Sequence, residues 1–209
     1  MKHIELVTDE VFKNLSDTQT PQGILALVKQ YHYTLEEVAG GSRKSAQAED
    51  LQEKPALLMV LETIQDPGNL GTILRAGEGA GVTGIVMDAN TADIYNPKVI
   101  RSTMGSVLRM PFVYVENLHE TLEELKKKKI RLFAAHLQGK HAYDQEDYTG
   151  PAAFLIGNEG NGLTEETAAM ADTYIRIPME GRVESLNAAV AASVLMFEAA
   201  RQRRNHTGK

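Results

Sequence analysis

From residue 55 onward the chain alternates short apolar runs with amphipathic stretches. Ala56–Glu62 (ALLMVLE) is a continuous apolar run of strand length, the pattern of a strand buried on both faces. TGIVMD (83–88), PFVYV (111–115), IRLFAAHL (130–137), AAFLIG (152–157) and TYIRIPM (173–179) repeat it. Between them lie a helical segment from about Leu70 to Gly79, the amphipathic LHETLEELKKKK (118–129) and a long terminal helix over about 185–204. That last helix carries Leu186, Val190, Val194 and Phe197 at helical spacing. Strands alternating with helices predict an α/β fold, a mostly parallel sheet with helices on both faces.

The first fifty residues differ. GILALVKQ (23–30), introduced by Thr20-Pro21-Gln22-Gly23, predicts a strand, and residues 36–54 are polar enough to predict a linker. The expected organisation is a partial N-terminal segment with linker over 1–52 and the main domain over 53–209.

Composition narrows the chemistry. With 43% apolar and 24% charged residues the chain is an ordinary folded protein. It has no cysteine, so disulfides, thiolate metal sites and cysteine nucleophiles are excluded. Its six histidines are scattered, and no metal site is expected. The net charge of −6 runs against a nucleic-acid binder, although a phosphate-binding patch is local and an acidic remainder can outvote it. The opening MKHIELVTDEVF lacks a signal-peptide pattern, and no apolar run approaches the roughly 18 residues of a membrane span. A cytoplasmic protein without membrane partners is expected. The Lys126–Lys129 run reads as a solvated helix end, where cations complement the dipole, with phosphate contact as the lesser alternative.

GAGVTG (79–84) satisfies the dinucleotide pattern G-x-G-x-x-G, but a helix precedes it and a strand follows, the reverse of what the motif requires. These glycines are expected to end a helix. Three other segments each follow a strand. Asp66–Ala76 (DPGNLGTILRA) places Asn69 at a helix start, where it can cap free amides, and Arg75 further in. Leu155–Leu163 (LIGNEGNGL) is a glycine-rich loop with Glu159 in its middle. Ile177–Ala191 (IPMEGRVESLNAAVA) predicts a loop and then a helix opening with Ser185. Ligands of open α/β sheets sit at the carboxyl ends of strands, where all three segments fall.

In this order and spacing the segments resemble the three signature motifs of the SpoU (TrmH-type) branch of the SPOUT RNA methyltransferases, over roughly residues 57–204. Arg101–Ser106 (RSTMGS), with Pro111 after it, resembles the family's segment between motifs. The resemblance implies a C-terminal trefoil knot, a homodimer, S-adenosylmethionine as methyl donor, and methylation of a ribose 2′-oxygen in rRNA or tRNA. It implies Arg75 as the central catalytic residue, with Asn69, Glu159, Ser185 and Asn187 completing the site. The cofactor would lie against the backbone around Gly157, Ile177 and Leu186, with Leu155 and Met179 nearby. Relatives often carry a full N-terminal RNA-binding domain, and residues 8–30 are similar to its tail end.

Arg75 is open to two roles, base or positioner of phosphate and hydroxyl; the planar, permanently charged guanidinium suits the second. Lys98, Arg101 and Arg109 are the expected RNA contacts, with Arg201, Arg203 and Arg204 as weaker candidates. Two alternatives stand beside the enzyme: a non-catalytic RNA-binding or assembly module with the same fold, and a nicotinamide enzyme resting on GAGVTG alone.

Overall fold

A computed structural model of the chain describes residues 3–16, 18, 20–40 and 54–207. It divides into two units, Met1–Tyr31 and His32–Lys209.

Among the described residues the first unit has one helix, α1 (Asp9–Leu15), capped by Thr8, whose side chain accepts from the Val11 amide. The strand expected over 23–30 is absent: these residues form neither helix nor strand, and Ile24 and Leu27 are 87% and 97% exposed. A strand exists only as part of a ladder, and no described residue of this unit supplies a neighbouring strand.

The described residues of the second unit form seven strands: β1 (Leu57–Leu61), β2 (Gly84–Asp88), β3 (Phe112–Val115), β4 (Arg131–Ala135), β5 (His141–Ala142), β6 (Ala152–Ile156) and β7 (Thr173–Arg176). Every pairing is parallel and the order across the sheet is β3-β2-β1-β6-β4-β7-β5. β1, β2 and β6 are buried along their whole length, as their unbroken apolar runs predict. Successive residues of β1 enter opposite cores. Leu57, Met59 and Leu61 join one apolar cluster, and Leu58 and Val60 the other.

Among its described residues this unit has six α-helices: α2 (Leu35–Ala39), α3 (Pro67–Ala80), α4 (Pro97–Ser102), α5 (Leu118–Lys127), α6 (Glu165–Ala169) and α7 (Ala188–Thr207). One core takes side chains of α3, α4 and α7; the other takes those of α2, α5 and α6. α2 corrects the reading of 36–54 as a linker. Residues 35–39 form a helix closed by a Thr34–Glu37 capping box, with Val38 fully buried against Gly84 at the start of β2. The remainder of that stretch, 41–53, lies outside the described residues.

α3 ends at Ala80 with Gly81 left-handed (φ 84°), so the GAGVTG glycines close a helix, as their order predicts. Among the described residues no helix is long and apolar enough to cross a membrane.

The C-terminal helix is tied down at its far end. Arg203, half buried, donates to the carbonyls of Pro55, Ala56, Tyr148 and Gly150, joining α7 to the segments that enter β1 and β6. Burial pulls its pKa down to about 10, which leaves it charged at neutral pH.

Candidate functional site

The three segments singled out in the sequence converge at the carboxyl ends of β1 and β6. Asp66, rather than Asn69, caps α3: its carboxylate accepts from the Asn69 amide at 2.9 Å, and Pro67 occupies the first turn. The Asn69 side chain is thereby left for longer-range contacts. Its Nδ2 donates to Glu159 at 2.9 Å, and its Oδ1 accepts from Asn187 Nδ2 at 3.0 Å. Asn187 Oδ1 in turn accepts from the amides of Ala189 and Val190, and its carbonyl takes the first helical bond from Ala191. Asn187 is therefore the N-cap of α7, not Ser185. The helix starts three residues later than its sequence pattern suggests, and Ser185 stays exposed in the preceding loop.

Glu159 accepts from Asn69 Nδ2 and from the amides of Gln65 and Asp66, at 3.3 and 3.2 Å. Partial burial opposes its ionisation most strongly. The bonds from Asn69 and from the amides of Glu159, Asp66 and Gln65 together outweigh that, and hold the carboxyl below the usual carboxylate range.

The loop carrying Glu159 folds back on itself, with Asn158 and Gly162 exchanging backbone bonds at 3.0 and 2.8 Å. Gly157 makes this possible: a Cβ there would lie 2.0 Å from the carbonyl carbon of Gly162. Further along, Thr164 caps α6, and Glu62 at the end of β1 accepts from both its amide and its hydroxyl at 2.8 Å.

A pocket of about 790 Å³ opens beside this loop, within the usual range of small-molecule sites. Gly157, Glu159, Ile177, Met179, Ser185 and Leu186 all line it. Leu155 does not. It is fully buried on the opposite face of the sheet, among the residues packed by α2, α5 and α6, and its neighbour Ile156 reaches the pocket instead. Alternation along a strand makes a one-residue difference a change of face. Sequence reasoning also missed Ala135–Gln138, which form the wall beyond β4. The available signal was that β4, like β6 and β7, ends at this edge of a parallel sheet.

Arg75 sits two turns into α3, exposed, with no hydrogen bond or ion pair to any described residue. Lys98 and Arg101 are exposed on α4, which packs so closely on α3 that a Cβ at Gly71 would meet Ser102 Oγ at 1.7 Å. Arg109 is engaged by Glu78 of α3 through Nε, and through Nη2 at 2.9 Å, and that bond raises its pKa above the ordinary value. An arginine neutralised within the chain has less to offer a phosphate. Of the weaker candidates, Arg201 is paired with Glu198, Arg203 serves the carbonyls described above, and Arg204, also exposed, has an interaction of its own. Among the described residues no cluster of side chains could hold a metal ion.

Comparison with known proteins gives the geometry a context. A family model described as SpoU rRNA Methylase family matches residues 56–197. A second, described as RNA 2′-O ribose methyltransferase substrate binding, matches residues 2–34. The 23S rRNA (guanosine(2553)-2′-O)-methyltransferase RlmP of Bacillus subtilis is 31% identical over 92% of this chain and 70% of its own length. The 23S rRNA (guanosine-2′-O-)-methyltransferase RlmB of Xylella fastidiosa is 39% identical over 71% of this chain, a match covering 59% of that protein. The crystal structure of an AdoMet-bound rRNA methyltransferase from Sinorhizobium meliloti superposes with a TM-score of 0.81 at 31% identity, covering 93% of this chain and 70% of that one.

Proposed function

The chain belongs to the SpoU rRNA methylase family, and from that premise we propose that it transfers a methyl group from S-adenosylmethionine to a ribose 2′-hydroxyl of rRNA or tRNA. The observation that carries the reading is the Glu159–Asn69–Asn187 chain of hydrogen bonds, which draws three distant segments together at the wall of a ligand-sized pocket.

The pocket fits the donor. Its wall offers the backbone of the 157–163 loop for close approach and the half-buried apolar side chains of Ile177, Met179 and Leu186 for a flat ring. S-adenosylmethionine supplies a methyl group already activated on a positively charged sulfur. The protein's task is then alignment, since holding two reactants in line contributes much of the acceleration in such transfers. Gly157, Ile177 and Leu186 hold the nucleoside part, with Met179 beside them. Glu159 has its acceptor capacity engaged by Asn69 and two backbone amides, so it fixes the loop rather than abstracting a proton. Asn69 and Asn187 position the acceptor side of the pocket, and Ser185 projects from the loop next to them. Arg75 grips the phosphate beside the target ribose and polarises its hydroxyl, whose proton leaves to water.

Lys98 and Arg101 of α4 extend the cationic surface of Arg75 along the RNA, and residues 2–34 contribute to substrate selection. The same membership supports a homodimer, with half-exposed Val190 and Phe197 of α7 as apolar surface for a second copy. It also supports a trefoil knot formed where the chain leaves β7, between β4 and β5, to reach α7 packed on α3.

Calorimetric titration with S-adenosylmethionine, with NADH as control, tests the donor assignment. Saturable binding of one donor per chain is expected, and none of NADH. Absence of donor binding by folded protein that still binds RNA would instead favour a non-catalytic RNA-binding module.

A further inference from the structure

Asp88, the last residue of β2, is buried and belongs to none of the motif segments. Its carboxylate accepts from the Thr63 amide at 2.8 Å, the Thr63 hydroxyl at 2.7 Å and the Thr91 hydroxyl at 2.7 Å. Thr63 follows β1 with φ 58°, in the left-handed region that a β-branched side chain strongly disfavours. Such a conformation persists only where surrounding contacts impose it. Here two of the three bonds to Asp88 come from Thr63 itself, and Thr91 ties the next residue by accepting from the Ile64 amide at 3.2 Å.

What this conformation presents is the grip on the pocket loop. The Thr63 carbonyl accepts from Asn158 Nδ2 at 2.9 Å, and Asn158 Oδ1 gathers the amides of Gly160 and Asn161. Two residues beyond Thr63, the amides of Gln65 and Asp66 point at Glu159. The turn 63–66 thus holds adjacent loop residues, Asn158 and Glu159, through opposite polarities of its own backbone.

We propose that Asp88 is a positioning residue for the pocket, locking Thr63 in the left-handed conformation from which the turn after β1 holds Asn158 and Glu159 in place. The inference rests on the pocket being the donor site. It carries a specific consequence: glycine adopts the same φ without a clamp, so Thr63→Gly should make Asp88 dispensable.

The test is a double-mutant cycle on the full chain, read by calorimetric affinity for S-adenosylmethionine and by amide exchange at Gln65, Asp66, Gly160 and Asn161. Asp88→Ala should weaken donor binding about tenfold and speed exchange at these four amides. Asp88→Asn should stay within about threefold of wild type, because its Oδ1 still accepts from Thr63 and the Thr63 hydroxyl can turn to accept from the new amide. In a Thr63→Gly background, Asp88→Ala should change donor affinity less than about twofold. A role confined to global stability would give equal losses in both backgrounds, and would overturn the proposal. So would unchanged affinity and exchange in Asp88→Ala. If Asp88→Ala does not fold, Asp88→Asn and the double variant decide the matter: a double variant that folds but binds at least tenfold more weakly than Thr63→Gly contradicts it. If wild-type protein binds no donor, the functional reading fails separately. The exchange data then decide alone, with faster exchange in Asp88→Ala, reversed by Thr63→Gly, sustaining the positioning role and no change rejecting it.

Discussion

Asn69 Nδ2 donates to Glu159 at 2.9 Å although 90 residues of chain separate them. The contact exists because Asp66 has taken over the capping of α3, leaving the Asn69 amide to bridge the two motif loops. Asn187 completes the bridge from the third segment while capping α7. Each of these side chains does local work at one atom and long-range work at another.

Asn187→Ala removes both functions at once. Loss of the cap should cost about 1 kcal/mol of stability, read as a lower urea midpoint with an unchanged slope. Methyl transfer should fall by more than stability explains, because Asn69 loses its partner. Asn187→Asp restores the cap acceptor without the Nδ2 donor, and should recover stability but not activity.

Arg75→Ala should leave thermal stability within about 0.5 kcal/mol of wild type, since the side chain is exposed and makes no hydrogen bond or ion pair with a described residue. Donor affinity should also hold. Methyl transfer to RNA should drop at least a hundredfold. A parallel loss of donor affinity would mean that Arg75 belongs to the cofactor pocket instead.

Gly157→Ala puts a Cβ into backbone atoms of Gly162 and Leu163, which no side-chain rearrangement can relieve. The loop must open, and donor affinity should fall more than tenfold while far-ultraviolet dichroism keeps the α/β signature. Wild-type affinity in this variant would mean the donor does not use the loop.

The ionisation of Glu159 gives a pH dependence whose sign can be worked out. Its folded pKa lies below its unfolded one, so its contribution is fully present above the ordinary carboxylate value of about 4.3 and fades as pH falls through the folded pKa. The stability gap between wild type and Glu159→Gln, followed by thermal unfolding against pH, should be constant at neutral pH and close on acidification. A gap that widened on acidification would contradict the hydrogen-bonded carboxylate.

Arg203→Met strips a charged donor from four carbonyls at the entrances to β1 and β6. Hydrogen bonds to charged groups are worth about 1.5–3 kcal/mol each and are not additive, so a loss of about 3 kcal/mol is expected. Chemical denaturation measures it. RNA affinity should be unaffected in the folded fraction.

Much of the architecture could be read from periodicity, because a parallel sheet buried on both faces leaves unbroken apolar runs such as Leu57–Leu61 and Ala152–Ile156. Strand order could not: that β6 lies between β1 and β4 is a property of packing, not of local pattern. The motif segments did mark the residues that meet, but not which side chain does which task. Asp66 and Asn187 are the caps where Asn69 and Ser185 were expected, since a cap is decided by which oxygen reaches the free amides. Leu155 was misplaced because strand alternation, invisible in a run of buried residues, sends it to the other core. The strand expected at 23–30 failed for the complementary reason, an apolar run with no neighbouring strand among the described residues of its own unit.

Methyl transfer to a ribose 2′-oxygen can be read by incubating the protein with tritium-labelled S-adenosylmethionine and unmodified 23S rRNA and tRNA transcripts, then digesting the RNA to nucleosides. Label is expected in a 2′-O-methylated nucleoside, and Arg75→Ala should abolish it. Label in a methylated base, or none in RNA that the donor-loaded protein demonstrably binds, would contradict it.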